Sequence, residues 1–405
     1  MPVFSYYAKD PEGRSIKGEV EAVDEKHLLE MLSGQNLYVI EAKPVKARKK
    51  KKSFARIKRR DLILFTTHMA TSLEAGIPLV TALKDFTEDT TNPRFRRILE
   101  DIIAQLNAGA SLSSALEKYP RAFPEVYINI IRAGEATGNL DKALKDLLSF
   151  LEWQEELRRQ IIQASIYPAI IITLVIGVIT LLMTVTLPKI TKILLSFNVE
   201  LPAVTKGLIA VSTWFSKYWF LIPIFLGGFY AVYYATYNYT EKGRLFWDYV
   251  KLSIPVFGTV QRKLALSRFA HYFTALYRAG IGIIQILSVL ENVVGNAVVA
   301  QGVARIRNRI IAGESISEAM KKEKVFPHLV IRMMAVGEET GNMEDTLNKV
   351  SEYYDREVPA AIRRFFSFLE PAIIIMLGGV VLLIALSIFL PIYKLTSSIT
   401  GQVVK

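Results

Sequence analysis

The chain has 405 residues, 51% of them hydrophobic, and a formal charge of +12 with 22% charged side chains. It holds no cysteine, which excludes disulfides, thiolate catalysis and cysteine zinc sites, and its four histidines (His27, His68, His271, His328) include no pair at metal-ligand spacing. A mean hydropathy of +0.27 beside that much charge requires the apolar residues to be gathered into segments.

The N-terminus, MPVFSYYAKD, has no charged-then-apolar leader, which predicts that no signal peptide is present. Residues 1–42 read as a small α+β module. VFSYYAKD and SIKGEVEA flank the turn DPEG as a hairpin, Asp24 caps a helix running to Leu32, and LYVIEA returns as a strand. A polybasic linker, 43–60, follows with ten basic residues between Lys46 and Arg60. Lys49, Lys50, Lys51 and Lys52 are candidates for contact with an anionic leaflet, at up to about 1 kcal/mol per basic residue. A solvated linker or a partner contact are the competing readings. No aromatics interleave to stack bases, so nucleic acid is not the expected partner.

Residues 61–165 read as a six-helix bundle, with helices expected at 59–75, 78–88, 92–108, 111–118, 123–136 and 139–165. Leu62, Leu64, Phe65, Met69 and Leu73 mark the apolar face of the first, and Gly76 and Gly109 act as stops. A membrane helix is expected at 166–188, whose stretch 169–187 carries no charge over nineteen positions. Residues 189–218 form the expected external loop, opening on a short polar stretch. Val204, Leu208, Val211, Trp214 and Phe215 then make an amphipathic face predicted to lie on the membrane–water interface. A second membrane helix is expected at 219–239, a second bundle at 240–368, a third membrane helix at 369–391 and a tail at 392–405.

The two bundles are a duplication. Ala75-Gly76-Ile77 meets Ala279-Gly280-Ile281, and Ala108-Gly109 meets Ala312-Gly313, both at a shift of 204. After one lost residue, Phe123-Pro124 meets Phe326-Pro327, Gly134-Glu135 meets Gly337-Glu338, Pro168 meets Pro371, and Leu187-Pro188 meets Leu390-Pro391 at a shift of 203. Pro168 and Pro371 are expected to mark membrane entry. The second repeat also shows a capping box, Ser315-Ile-Ser-Glu318.

The most distinctive repeated phrase, G-E-x-T-G-N, comprises Gly134, Glu135, Thr137, Gly138 and Asn139, and again Gly337, Glu338, Thr340, Gly341 and Asn342. Gly138 is expected to end one helix and Asn139 to cap the next, with Asp345 completing a capping pair with Asn342. A glutamate in the last turn of a helix opposes the macrodipole. Glu135 and Glu338 are therefore expected to accept hydrogen bonds from the amides of the tight turn. The competing readings are a surface for a partner protein, catalysis or metal binding.

Homologous bundles should share one compartment, and the spans at 169–187 and 219–239 supply the two crossings between them. The basic linker places that compartment in the cytoplasm, with the tail on the opposite side. No P-loop, G-x-S-x-G or H-E-x-x-H occurs, and no ionisable residue interrupts a span, which opposes an enzyme, a transporter or a bound cofactor.

The paired motifs resemble the inner-membrane platform proteins of type IV pili and type II secretion systems. The matching residues are F-T-x-x-M-A-x-x-L-x-A-G-I-P-L at 65–79, A-G-x-S-L-S-x-A-L at 108–116, G-E-x-T-G-N-L at 134–140 and Y-P at 167–168. They continue with N-V-E-L-P-x-V-T at 198–205, I-P-V-F-G at 254–258, and the run Tyr6, Ala8, Asp10, Gly13 in the N-terminal module. Gly282 departs from the pattern, standing where the first repeat has Pro78, and a looser turn is expected there. The resemblance implies a mainly α membrane protein without catalytic residues. It implies that the cytoplasmic bundles engage a hexameric assembly ATPase, with a retraction ATPase as a further candidate. It also implies contact with pilins or pseudopilins and other inner-membrane subunits, in a homo-oligomer, dimer or trimer.

Overall fold

A computed structural model describes residues 3–9, 15–21, 38–45, 57–196, 203–218 and 220–403. At the N-terminus β1 (Val3–Lys9) pairs antiparallel with β2 (Ser15–Glu21) in a register running from Val3 opposite Glu21 to Lys9 opposite Ser15. β3 (Tyr38–Val45) lies on the other side of β1, giving the order β2-β1-β3, with a register shift between Tyr7 and Ala8. The third strand thus runs past residue 42 into the stretch read as linker. The helix expected from Asp24 to Leu32, and Lys49, Lys50, Lys51 and Lys52, lie outside the described residues.

The first repeat supplies α1 (Arg59–Glu74), α2 (Leu79–Asp89), α3 (Pro93–Asn107), α4 (Leu112–Glu117), α5 (Glu125–Thr137) and α6 (Leu140–Leu181). The stops are where backbone sterics put them: Gly76 and Gly109 sit at φ +79° and +90°, a region that L side chains avoid. Ser111 caps α4 by accepting from the Ser114 amide at 3.2 Å. Phe65 is the aromatic hub, edge-on to Phe86 at 5.3 Å and Phe123 at 5.9 Å, and Tyr127 joins it by a hydroxyl contact to Thr66 at 3.0 Å.

The second repeat mirrors this arrangement in α11 (Phe257–Arg278), α12 (Ile283–Val293), α13 (Ala297–Ile311), α14 (Ile316–Lys321), α15 (His328–Thr340) and α16 (Met343–Val403). Its hub is the equivalent pair, Phe269 against Phe326 at 4.9 Å. Gly280 and Gly313 repeat the stops at φ +80° and +94°. Gly282 does not loosen its turn. It takes φ −65° and ψ 145°, the angles a proline would hold, and its carbonyl accepts from Ile286 at 2.9 Å as that of Pro78 does from Ala82 at 3.0 Å.

Two expectations about segmentation are corrected. The last helix of each bundle and the span after it are one element: α6 covers 42 residues with Pro168 inside it, and α16 covers 61 with Pro371 inside it. No glycine stop or capping residue accompanies either proline, and one missing N–H does not end a helix whose other bonds continue. The stretch after the first span is likewise helical rather than a polar loop. A π-helical turn, Leu182–Thr186, leads directly into α7 (Leu187–Ser196). Beyond it lie α8 (Ala203–Tyr218), α9 (Leu221–Tyr239) and α10 (Glu241–Ser253).

α6 and α16 are long and apolar enough to cross a membrane, and most of their apolar stretch is exposed, as lipid-facing surface would be.

Candidate functional site: the repeat signature, the bundle interface and the span clamp

The G-E-x-T-G-N phrase is a helix-packing device. Gly138 and Gly341 adopt φ +69° and +71° at the C-termini of α5 and α15, and the Asn139 amide closes the Schellman bond to Gly134 O at 2.9 Å. Gly134 and Gly337 permit close helix crossing: a Cβ on Gly134 would meet Ala143 Cβ at 2.5 Å, and one on Gly337 would meet Met343 Sδ at 2.7 Å. Thr137 and Thr340 turn their hydroxyls back to the carbonyls of Ala133 and Val336 at 3.0 and 2.7 Å.

Glu135 and Glu338 do accept backbone amides, though not those of their own turn. Glu135 takes the amides of Leu112 and Ser113 at 2.5 and 3.0 Å, and Glu338 those of Ile316 and Ser317 at 2.8 and 3.1 Å. Each carboxylate thus caps the first turn of the short α4 or α14, where positive dipole ends and orphan donors are concentrated. The adverse macrodipole of its own helix is offset by a favourable one from a neighbour.

The caps differ between the two repeats. Asn139 makes no side-chain cap bond to α6; its Nδ2 donates to Thr137 O instead, at 3.1 Å. Asn342 Oδ1 does accept from the Asp345 amide at 3.4 Å, but the Asp345 carboxylate pairs with Lys349 at 2.6 Å. Ser315 accepts from the Glu318 amide at 3.3 Å, the serine half of its box.

The two bundles meet through α11, which packs on α6 and α5. The Trp153 indole lies flat on His271, centroids 3.9 Å apart at 17°. Its Nε1 donates to Asp355 Oδ1 at 3.0 Å, the oxygen that also sits 2.9 Å from His271 Nε2. Gln154 donates to the Tyr272 hydroxyl at 2.7 Å, and Tyr272 stands edge-on to Phe150 at 4.6 Å. Farther along α11, Arg278 lies 4.0 Å from Asp146 and 2.9 Å from Glu344. Burial pushes the Asp146 carboxyl above its ordinary value, with Arg278 opposing, and burial also raises the Tyr272 hydroxyl. None of these residues stood out in the sequence. The available signal was divergence, since Trp153 and His271 align with Arg356 and Thr67 in the other repeat.

Beyond the apolar stretch of α6 lies α8, whose apolar face is the one expected on a membrane–water interface. It packs against α7, the π turn and α16, with Leu208 and Ile209 on a core of Met183, Leu187 and Ile384, while Val211 and Trp214 are exposed. The side chains of Val204 and Phe215 lie outside the described set. Its most buried described residues are hydroxylic, Thr205 and Ser212.

Both hydroxyls answer a defect made by proline. In the π register, residue 188 would donate to Met183 O, but Pro188 has no N–H; Ser212 Oγ donates to that carbonyl at 2.6 Å. In α16, residue 391 would donate to Ser387 O, but Pro391 has no N–H; Thr205 Oγ1 donates there at 3.1 Å. The repeated Leu-Pro pairs therefore each leave an orphan carbonyl, and one helix satisfies both.

At the other side of α9, buried Asp248 accepts from the Ala297 amide at 2.8 Å and from Lys251 Nζ at 2.9 Å, fastening α10 to the start of α13. Lys251 lies 4.3 Å from the Tyr237 ring centroid and 5.6 Å from that of Tyr233. Burial pulls its pKa down, but Asp248 and Tyr233 outweigh burial and raise it. Of the repeat signature the structure buries Gly134 and Gly337, half-buries Glu135 and Glu338, and leaves Thr137, Gly138, Asn139, Thr340, Gly341 and Asn342 exposed at the helix ends, while Pro168 and Pro371 lie farther on, inside α6 and α16.

Comparison with known proteins agrees with this layout. The family profile described as "Type II secretion system (T2SS), protein F" matches residues 65–188 and again 269–391, and the profile of that protein's N-terminal domain matches 1–43. The chain is 35% identical to the type IV pilus assembly protein PilC of Thermus thermophilus, over 99% of this chain and 100% of the relative. It is 34% identical to PilC of Myxococcus xanthus, over 98% and 95%. It is 30% identical to the type II secretion system protein F of Vibrio cholerae, over 98% and 99%. With two copies of the profile on two homologous bundles, each continued by a long apolar helix, the chain belongs to the type II secretion system protein F family.

Proposed function

We propose that this chain is the inner-membrane platform of a type IV pilus assembly machine, coupling a cytoplasmic assembly ATPase to extraction of pilins from the bilayer and growth of the fibre. The observation that carries this reading is near full-length identity of 34–35% to two relatives named as pilus assembly proteins. The second reading, the platform of a type II secretion system acting on pseudopilins, is supported by relatives of that name at 29–30%. Deleting the gene tests the choice. Loss of surface fibres with protein secretion intact supports the pilus role, and the reverse phenotype supports secretion.

In this reading α9 is a third membrane span. It is uncharged, spans 19 residues, about 28 Å at 1.5 Å per residue, and exposes Phe225, Leu226, Phe229 and Tyr230. The packing of α11 on α6 supports a shared compartment for the bundles. That compartment is the cytoplasm, with the N-terminal module on the same side and the C-terminus periplasmic. Gly76, Gly109, Gly280 and Gly313 shape the bundles, Glu135 and Glu338 hold them rigid, and a rigid pair of bundles is what a ring-shaped motor can push. The chain itself contributes no catalysis. Assembly ATPase pulled down by the intact chain in membranes, and lost when 240–368 is deleted, is the expected result. ATPase retention by a chain lacking both bundles would sink the coupling role.

A further inference from the structure

The contact between the two bundles is used once although the duplication provides it twice. On α11 the residues facing the first bundle include Arg268, His271, Tyr272, Ala275 and Arg278, all buried or half-buried. Their equivalents on α1, at a shift of 204, are Leu64, Thr67, His68, Thr71 and Glu74; His68 is half-buried and the other four are exposed. The receiving face shows the same one-sidedness. Val126 and Asn129 on α5 and Phe150 on α6 are 3%, 8% and 6% exposed; their equivalents Leu329, Arg332 and Tyr353, at a shift of 203, are all exposed, Leu329 and Tyr353 at 38% and 36%.

A protein module whose knob is buried in its neighbour, while its own socket stays open, is arranged head to tail. The charges agree with this. Arg278 and Asp146 pair across the closed contact, and the equivalents on the open faces are Glu74 and Lys349. The signs are reversed on both sides, so attraction is kept; within the chain Glu74 pairs with Lys145 and Lys349 with Asp345, each at 2.6 Å, and both pairs are solvent-exposed, where exchanging partners costs little. Self-pairing of the open α15 face would instead bring Arg332 against Arg332, which disfavours a symmetric contact there.

We propose that a second copy of this chain fills the open socket: α1 of one chain packs against α15 and α16 of another, repeating between chains the contact that α11 makes on α5 and α6 within one. Such a heterologous interface closes into a ring when its rotation permits. The partner is a second copy because the chain already shows that an α11-type face fits an α5/α6-type face.

The absence of native cysteine makes the test clean. Two differently tagged full-length chains, one Thr67→Cys and one Arg356→Cys, the equivalents of the stacked His271 and Trp153, are co-expressed and treated in membranes with a short bismaleimide. The proposal expects a species carrying both tags, and expects Glu74→Lys added to the Thr67→Cys chain to reduce its yield several-fold until Lys349→Glu added to the Arg356→Cys chain restores it. Two results overturn it. One is closure only within a single doubly substituted chain, with no mixed-tag product. The other is no product of either kind although both cysteines react with a monofunctional maleimide, which would give the socket to another protein.

Discussion

The clamp between α8 and the spans makes a quantitative prediction. Ser212→Ala leaves Met183 O without a donor in a site where Ser212 itself is 2% exposed. An unsatisfied buried acceptor costs about 1–3 kcal/mol, while interhelical hydrogen bonds inside membranes average about 0.6 and reach about 1.7 kcal/mol. The 2.6 Å bond and deep burial place Ser212→Ala at about 1–2 kcal/mol, and Thr205→Val, with its 3.1 Å bond, at about 0.5–1.5 kcal/mol. The decisive variant is Pro188→Ala, which returns an N–H to residue 188. With that donor restored, Ser212→Ala should cost under about 0.5 kcal/mol, a coupling of about 1 kcal/mol in a double-mutant cycle. Equilibrium unfolding of the intact chain in mixed micelles, with increasing mole fraction of a denaturing detergent, reads all four corners. If Ser212→Ala costs the same with Pro188 and with alanine, the hydroxyl is not answering the proline and the reasoning is wrong.

Three further outcomes follow from the bundles. Glu135→Ala should destabilise the first repeat by about 1.5–3 kcal/mol and speed hydrogen exchange at the Leu112 and Ser113 amides, leaving membrane insertion unchanged. Gly134→Ala should cost about 1–3 kcal/mol through overpacking against Ala143, and Ala143→Gly in the same chain should recover most of it, as thermal melting would show. The Asp101 carboxyl is held below its usual range first by the Tyr119 hydroxyl, then by Gln105 and Lys118, while burial and that carboxylate push Tyr119 up to about 12. A depressed carboxylate contributes stability that is full above its unfolded value, near pH 4, and lost as pH falls through the folded one. Tyr119→Phe should flatten that acid-side loss, measured as the unfolding midpoint against pH.

Periodicity and caps made the helices legible, because an apolar stripe ending on glycine has few alternatives: α1 and its stop at Gly76 could be read directly. The N-terminal strands were legible from alternation around DPEG. What the sequence hid was partnership over distance. Glu135 announced itself as misplaced, but its amides lie 22 and 23 residues back, a separation that no local rule can reach. Trp153 reads as one more half-exposed aromatic until His271, 118 positions on, is seen stacked on it. Thr205 and Ser212 drew no notice in the sequence beside the apolar residues of their helix. Their burial follows only once the prolines of two other segments are seen to lack donors, so tertiary need overrode the hydrophobic pattern.

The differences between the repeats carry as much as their likeness. Tyr119, just past α4, donates to Asp101 of α3 at 2.5 Å, and Arg305 of α13 donates to Glu323, just past α14, at 3.0 and 2.7 Å. The same two positions hold the same two helices by different chemistry, one neutral donor to a carboxylate and one bidentate ion pair. Scaffold positions were therefore free to change partners as long as both changed together. The outward positions changed one repeat at a time, as at Trp153 against Arg356 and His271 against Thr67, so knob and socket became unlike. Two identical bundles could exchange roles at their contact; two diverged bundles on one chain pair one way only, and that asymmetry leaves the face of α15 and α16 open, with Leu329 and Tyr353 exposed.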